Sequence, residues 1–345
     1  VGTSGTQVFT SAGKDIQLAA LKVNGAGGTV QFADTFWSGQ INLTNGTLDT
    51  NNQQWTTNLF NLSVGTKTLK LTNSHGIIAG TGISWDSATN QTNLTLTHGG
   101  ASKLTFNGGV ALTTMLVGGA SGQAYDDIEF LGGAGGFTLS GQSLLYRDLL
   151  CSSPGASIVT VGNGVFRNID FTGFLGTWNE TLGTSFLGNL VFVAGMALTN
   201  ATTITARGTG LQTITMAGLS ATFQLNILAT VGTNTVQLLD TFSGTKPVKI
   251  QKDGCGIISK AGVTNTCSLF SAVGTAGSPC TLASDTPGSP TTWSVATNEQ
   301  KATALSVTDV YVTGGARWWT GRFGVDNGGN SGWRFTDWAL RRPYF

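Results

Sequence analysis

The chain holds 345 residues, 50 of them Gly, with 40% apolar and only 10% charged residues. So few charges exclude long solvent-facing helices, which need Glu, Lys and Arg on the wet face, and 18 Phe with 9 Trp exclude a disordered chain. A net charge of +1 gives no electrostatic case for nucleic acid, and no run approaches the ~20 apolar residues of a membrane helix, so neither partner nor insertion is expected.

Residues 1–20 read as a lead-in or cap. From residue 21 onward, segments 39–48, 66–72 and 93–97 alternate apolar and polar residues with the period of a half-buried strand. A stricter repeat follows. Segments beginning at Tyr125, Tyr146, Phe166 and Leu187 share the pattern apolar-x-[Asp/Asn]-[Ile/Leu]-x-apolar, which places Asp127, Asp148, Asn168 and Asn189 at nearly equal steps along the chain. A period of that length with strand-like composition predicts an all-β fold, a right-handed parallel β-helix over 21–262 with about 20–21 residues per turn. Ile128, Leu149, Ile169 and Leu190 are expected to stack inward, with the Asp/Asn residues in line beside them at a bend, where short polar side chains bond local backbone. Segments 202–206, 212–216 and 223–227 continue the alternation. The regularity fades after Ala261. Pro279, Pro287 and Pro290 then suggest an irregular connector or cap over 263–300, followed by an aromatic- and Arg-rich C-terminal β module at 301–345.

Five groups of residues invite a chemical reading. Asp127 and Asp148 on adjacent turns would lie about 5 Å apart, the spacing of a retaining glycosidase pair, with Asp126, Glu129 and Asp170 nearby. The same ladder carries Asn at two further turns, which favours a shared structural role and no catalytic residue. His75 and His98, the only histidines, stand apart from any Cys or carboxylate spacing in the sequence, so no metal or cofactor is expected. Cys151, Cys255, Cys267 and Cys280 include no CxxC pair; a Cys255–Cys267 closure competes with idle buried thiols. At the C-terminus, Arg317, Trp318, Trp319, Arg322, Trp333, Arg334, Phe335 and Trp338 gather the residue types that dominate binding hot spots. They offer either a surface for glycan or subunit contact or a buried plug that closes the coil. The segment Asp326-Asn-Gly-Gly-Asn330 lacks the alternating acids of a calcium loop and reads as a tight turn.

The tail from Trp318 to Phe335 resembles an end motif of phage structural and tail-fibre-type proteins. In these a Trp-aromatic-x-Gly segment precedes Asp-x-Gly-Asn-Asn-x-Gly-Trp-x-Phe; Gly329 stands here where that pattern has Asn. Segments such as Phe166-Arg-Asn-Ile-Asp-Phe171 are similar to the β-helix bodies of the same proteins. The resemblance implies a non-enzymatic virion component, a fibre, spike or capsid-surface appendage that adheres to host surface glycans. Its expected partners are other virion proteins, host polysaccharide and further copies of the chain, a trimer being favoured. A bacterial surface adhesin and a tailspike-type glycan depolymerase are the alternatives.

Overall fold

A computed structural model describes residues 4–14, 20–62, 64–87, 93–107, 113–116, 124–132, 135–153, 158–199 and 202–336. Among these there is no α-helix. The named strands pair in parallel, and they coil as a β-solenoid of about 13 turns in all. The chain divides into two compact units, 1–166 with 170–181, and 167–169 with 182–345.

In the first unit, one inward column runs through Phe36, Trp55, Gly76, Leu104, Ile128 and Leu149, residues aligned in register on successive strands. A second column two residues on joins Ser38, Thr57, Ile78, Phe106, Phe130 and Cys151, all buried. The alternation of the pleat sends every other side chain inside, and stacking at about 4.8 Å places each inward residue on its counterpart a turn away. Gly76 interrupts the apolar column for a steric reason: a Cβ there would overlap the Trp55 indole. Lys67 is a second exception. It occupies an inward position between Gly46 and Leu94, and its Nζ donates to the carbonyls of Val64 and Gly65 at 3.0 Å. Burial lowers the pKa of this ammonium.

In the second unit, the corresponding column is Ile204, Leu225, Val248 and Phe270, continued by Gln300, Trp318 and Trp333. A second face stacks Gln212, Val236, Ile257, Leu282 and Val307. A third is a smaller sheet that aligns Asn265, Trp293 and Val312. Polar residues that turn inward are bonded to one another. Asn234 donates to Gln212 Oε1 at 2.6 Å and to the Ala206 carbonyl at 3.0 Å, and Gln212 donates to the Phe186 carbonyl at 2.9 Å. Gln300 Oε1 accepts the Phe270 N–H at 2.6 Å. These bonds satisfy the Asn234 and Gln212 amide donors and Gln212 Oε1, groups whose burial without partners would cost stability, and leave Asn234 Oδ1 without a partner.

Two sequence expectations are corrected. The turn length is not constant: along the first-unit column, the step from Gly76 to Leu104 is far longer than the step from Phe36 to Trp55. The strands His75–Ile78 and Lys103–Phe106 stay in register across this longer step, so a fixed-period reading loses register upstream of Leu104. The coil also does not stop at residue 262. Strands Phe270–Ala272, Cys280–Ser284, Thr291–Ser294 and Glu299–Ala302 within the expected connector pair in parallel with the turns before them. The C-terminal strands Arg317–Trp319, Val325–Asp326 and Trp333–Arg334 add further turns to the same stack. The prolines mark corners, and the unusually long turn from Phe270 to Gln300 explains why the period vanishes there.

The register makes a sharp prediction for neighbouring residues on one strand. Ile257 is fully buried whereas Ile258 is half-buried on the outer face. Ile257→Ala should cost about 2–5 kcal/mol in denaturant unfolding, and Ile258→Ala clearly less. Equal losses would place the strand in a different register.

Candidate functional site

A dense polar group in the first unit lies on the outer face of strands His75–Ile78, Lys103–Phe106 and Asp127–Phe130. Register aligns His75, Lys103 and Asp127 in one outer column and Ile77, Thr105 and Glu129 in the next. Thr105 Oγ1 donates its single proton to Glu129 Oε2 at 2.7 Å, so the 2.8 Å contact with His75 must be donated by Nε2. The His75 imidazole is therefore held as the Nε2–H tautomer, with the Nδ1 lone pair directed away from this bond. Burial lowers the pKa of His75, and the nearby Lys103 ammonium adds to the effect against the opposing pull of Glu129. For Glu129, burial opposes ionisation, but the hydrogen bonds from Lys103 and Thr105 and the Lys103 charge at 2.8 Å outweigh it and hold the carboxyl below its ordinary range.

One corner away, Asp126 and Asp127 are organised by Arg147. The guanidinium grips Asp127 with both arms, Nε to Oδ1 at 2.6 Å and Nη2 to Oδ2 at 2.7 Å, and Nη1 lies 3.6 Å from Asp126. Arg147 also donates to the carbonyls of Gly100 and Ser102, which ties the 99–102 corner to the strand two turns later in sequence. The hydrogen bonds to Asp127 raise the Arg147 pKa further above its ordinary value. Asp126, nearly buried, accepts from the Gly99 N–H at 2.7 Å and from Ser102 Oγ, and His98 Nδ1 sits 3.2 Å from its other oxygen. The two histidines thus belong to carboxylate networks, contrary to their isolation in the sequence. The signal was present only as turn spacing: Lys103 precedes Asp127 by one turn of the coil, and His98 lies just before the corner that precedes Lys103.

This geometry bears on the paired-carboxylate reading. Asp127 is the anion of a bidentate ion pair, and the Asn positions of the same ladder do something else: Asn168 Oδ1 accepts the Asn189 N–H at 2.8 Å, and Asn189 Oδ1 accepts Thr213 Oγ1–H at 2.8 Å. Ile128, Leu149, Ile169 and Leu190, the inward partners, are all fully buried. Ile128 and Leu149 are aligned on adjacent turns of the first unit. Among the described residues, no group of three His, Cys, Asp or Glu side chains is arranged to hold a metal ion.

The C-terminal candidates separate into inner and outer sets. Trp318 is 1% exposed and packs against Phe270 at 5.6 Å and edge-on against Trp333 at 5.3 Å. Trp319 is 4% exposed, with the Arg334 guanidinium over its ring at 5.0 Å. Trp333 Nε1 donates to the Val310 carbonyl at 3.0 Å, and Phe335 is half-buried. Trp318 and Trp319 are core of the last turns. Outside stand Arg317, 3.8 Å from Glu299, Arg322 over the exposed Phe323 ring at 5.4 Å, and Arg334. Trp338 lies outside the described residues. The 326–330 segment is a corner locked by its own side chains: Asp326 Oδ1 accepts from Gly328 N–H and Asn330 Nδ2, and Asn330 Oδ1 accepts the Val310 N–H at 2.9 Å. Gly329 is required there because its φ is +68° and a Cβ would overlap the Asp309 carboxylate.

Comparison with protein-family models, curated proteins and solved structures finds no match to this chain.

The networks predict a two-part acid response. His75 has a folded pKa below its unfolded value near 6.5, so the folded state resists a proton that the unfolded chain accepts, and stability falls as pH drops below about 6.5. Glu129, with its folded pKa depressed, adds a further loss as pH falls below about 4.3. Thermal unfolding midpoints measured from pH 8 to pH 3 should show His75→Gln flattening only the upper part of this decline and Glu129→Gln only the lower. An unchanged profile in both variants would contradict the assignment.

Proposed function

We propose that this chain is a non-enzymatic structural protein of a phage virion, a fibre, spike or capsid-surface appendage whose β-solenoid holds a cationic face toward host surface glycans. The observation that carries this reading is the sorting of charge and aromatics along the second unit. Trp293, Trp318 and Trp319 lie in the core, whereas Arg317, Arg322 and Arg334 of the last turns are exposed, Arg322 over the Phe323 ring. Exposed guanidiniums above aromatic rings suit recognition of carboxylate- or sulfate-bearing sugars, since planar donors pair with the acid groups and the ring edges cover sugar C–H faces. The end motif running from Trp318 to Phe335, similar to that of phage tail-fibre-type proteins, supports the virion location and an oligomer, a trimer being favoured, with other virion proteins as neighbours.

The depolymerase alternative is favoured by one observation, the meeting of His75 and His98 with Glu129 and Asp126 on the outer face of the first unit. Against it stands the bidentate capture of Asp127 by Arg147. Incubation with host capsule or lipopolysaccharide separates the two: binding without new reducing ends supports the structural protein, whereas new reducing ends that vanish in Asp126→Asn support the enzyme.

The binding face is tested by replacing Arg317, Arg322 and Arg334 together with Ser. All three are exposed, so the circular dichroism and unfolding midpoint should stay close to those of the parent chain. Retention on immobilised acidic host polysaccharide should fall at least tenfold at low salt and be abolished at higher salt. Undiminished retention would move the contact surface elsewhere.

A further inference from the structure

We propose that Cys255 and Cys280 form a disulfide that staples two adjacent turns of the second unit when the protein folds in an oxidising environment. All four cysteines are free thiols and buried in this structure. The register aligns Gly256 with Thr281, and the Thr281 N–H donates to the Cys255 carbonyl at 3.0 Å, which places Cys255 and Cys280 side by side one residue earlier on the same two strands. Both are fully buried, and the inward column they share continues to Leu305 on the following turn. Neighbouring residues on adjacent parallel strands are about 4.8 Å apart, inside the Cα range that a disulfide spans. The Gly254 corner packs on Ser278 as well, its N–H donating to the Ser278 carbonyl at 3.1 Å, so the backbone on both strands is already fixed at the bond's position.

The pairing differs from the Cys255–Cys267 closure open in the sequence. Cys267 lies in another part of the turn, next to strand Thr264–Thr266 of the smaller sheet. Burial pushes the Cys280 thiol up to about 12, with the neighbouring Cys255 adding to the shift, so Cys280 in the folded protein presents little thiolate to an oxidant. The bond therefore forms during folding, before the column closes. With oxidised glutathione as oxidant, one cysteine thiolate attacks its disulfide and releases one glutathione thiolate. The second cysteine thiolate then displaces the other glutathione. The two protein thiols lose two electrons and two protons, one S–S bond forms in the protein, and one glutathione disulfide is reduced to two thiols.

The test is refolding of the full chain from denaturant with oxidised glutathione, then alkylation of remaining thiols and peptide mapping without reductant. Two of the four cysteines should escape alkylation, and a single linked peptide should join Cys255 to Cys280. The linked form should unfold several degrees higher than the same sample after reduction. Cys255→Ser and Cys280→Ser should each lose the linked peptide, with Cys151 and Cys267 unchanged. Four alkylated thiols, glutathione caps alone, or a link through Cys151 or Cys267 would overturn the proposal.

Discussion

Everything in this protein rests on the alignment of inward side chains from turn to turn. A parallel ladder in register puts like position over like position, so a residue that fits one turn must also fit the turns on either side. The columns from Phe36 to Leu149 and from Ile204 to Phe270 satisfy that demand with apolar residues of similar size. Where they do not, the departure is answered locally: glycine at 76 beneath the Trp55 indole, and amide-to-amide bonding at Asn234 and Gln212. The hydrophobic term supplies the stabilisation, and the ladder converts it into a fixed register, because a slip of one residue would turn every column outward.

The outer face follows from the same alignment. Side chains that point out are also stacked, so charges meet their neighbours on adjacent turns whether or not the sequence sets them close. Arg147 reaches back a full turn to Asp127, and Thr105 meets Glu129 from the turn before it. In the first unit this produces self-neutralised networks that clamp corners to strands. At the C-terminal turns of the second unit Arg317 lies 3.8 Å from Glu299, Arg334 covers the buried Trp319 ring, and Arg322 covers the exposed Phe323 ring.

The solenoid was legible in the sequence where turn length happened to be constant. The nearly even step through Asp127, Asp148, Asn168 and Asn189 is a direct imprint of the coil. The turns at 270–302 were not legible, because insertions in the corners destroy periodicity while leaving strands such as Cys280–Ser284 intact. Proline at 279, 287 and 290 reads as irregular structure in a linear scan, yet it suits corners, where no ladder hydrogen bond is needed. The candidate site was legible in part. Clustered Trp and Arg at the C-terminus pointed to the last turns, but inside and outside could not be told apart until Trp318 was seen packed on Phe270. The histidine networks left no local signal, since their partners arrive from other turns.

Native-state hydrogen exchange followed residue by residue through the second unit tests the central claim most directly, namely that one in-register stack continues past residue 262. Amides of Leu225, Val248, Thr281, Leu305 and Thr320, each bonded to a carbonyl on a neighbouring turn, should exchange with comparable, strong protection. Fast exchange from Thr281 onward, with protection intact at Leu225 and Val248, would contradict a continuous coil and restore a separate C-terminal module.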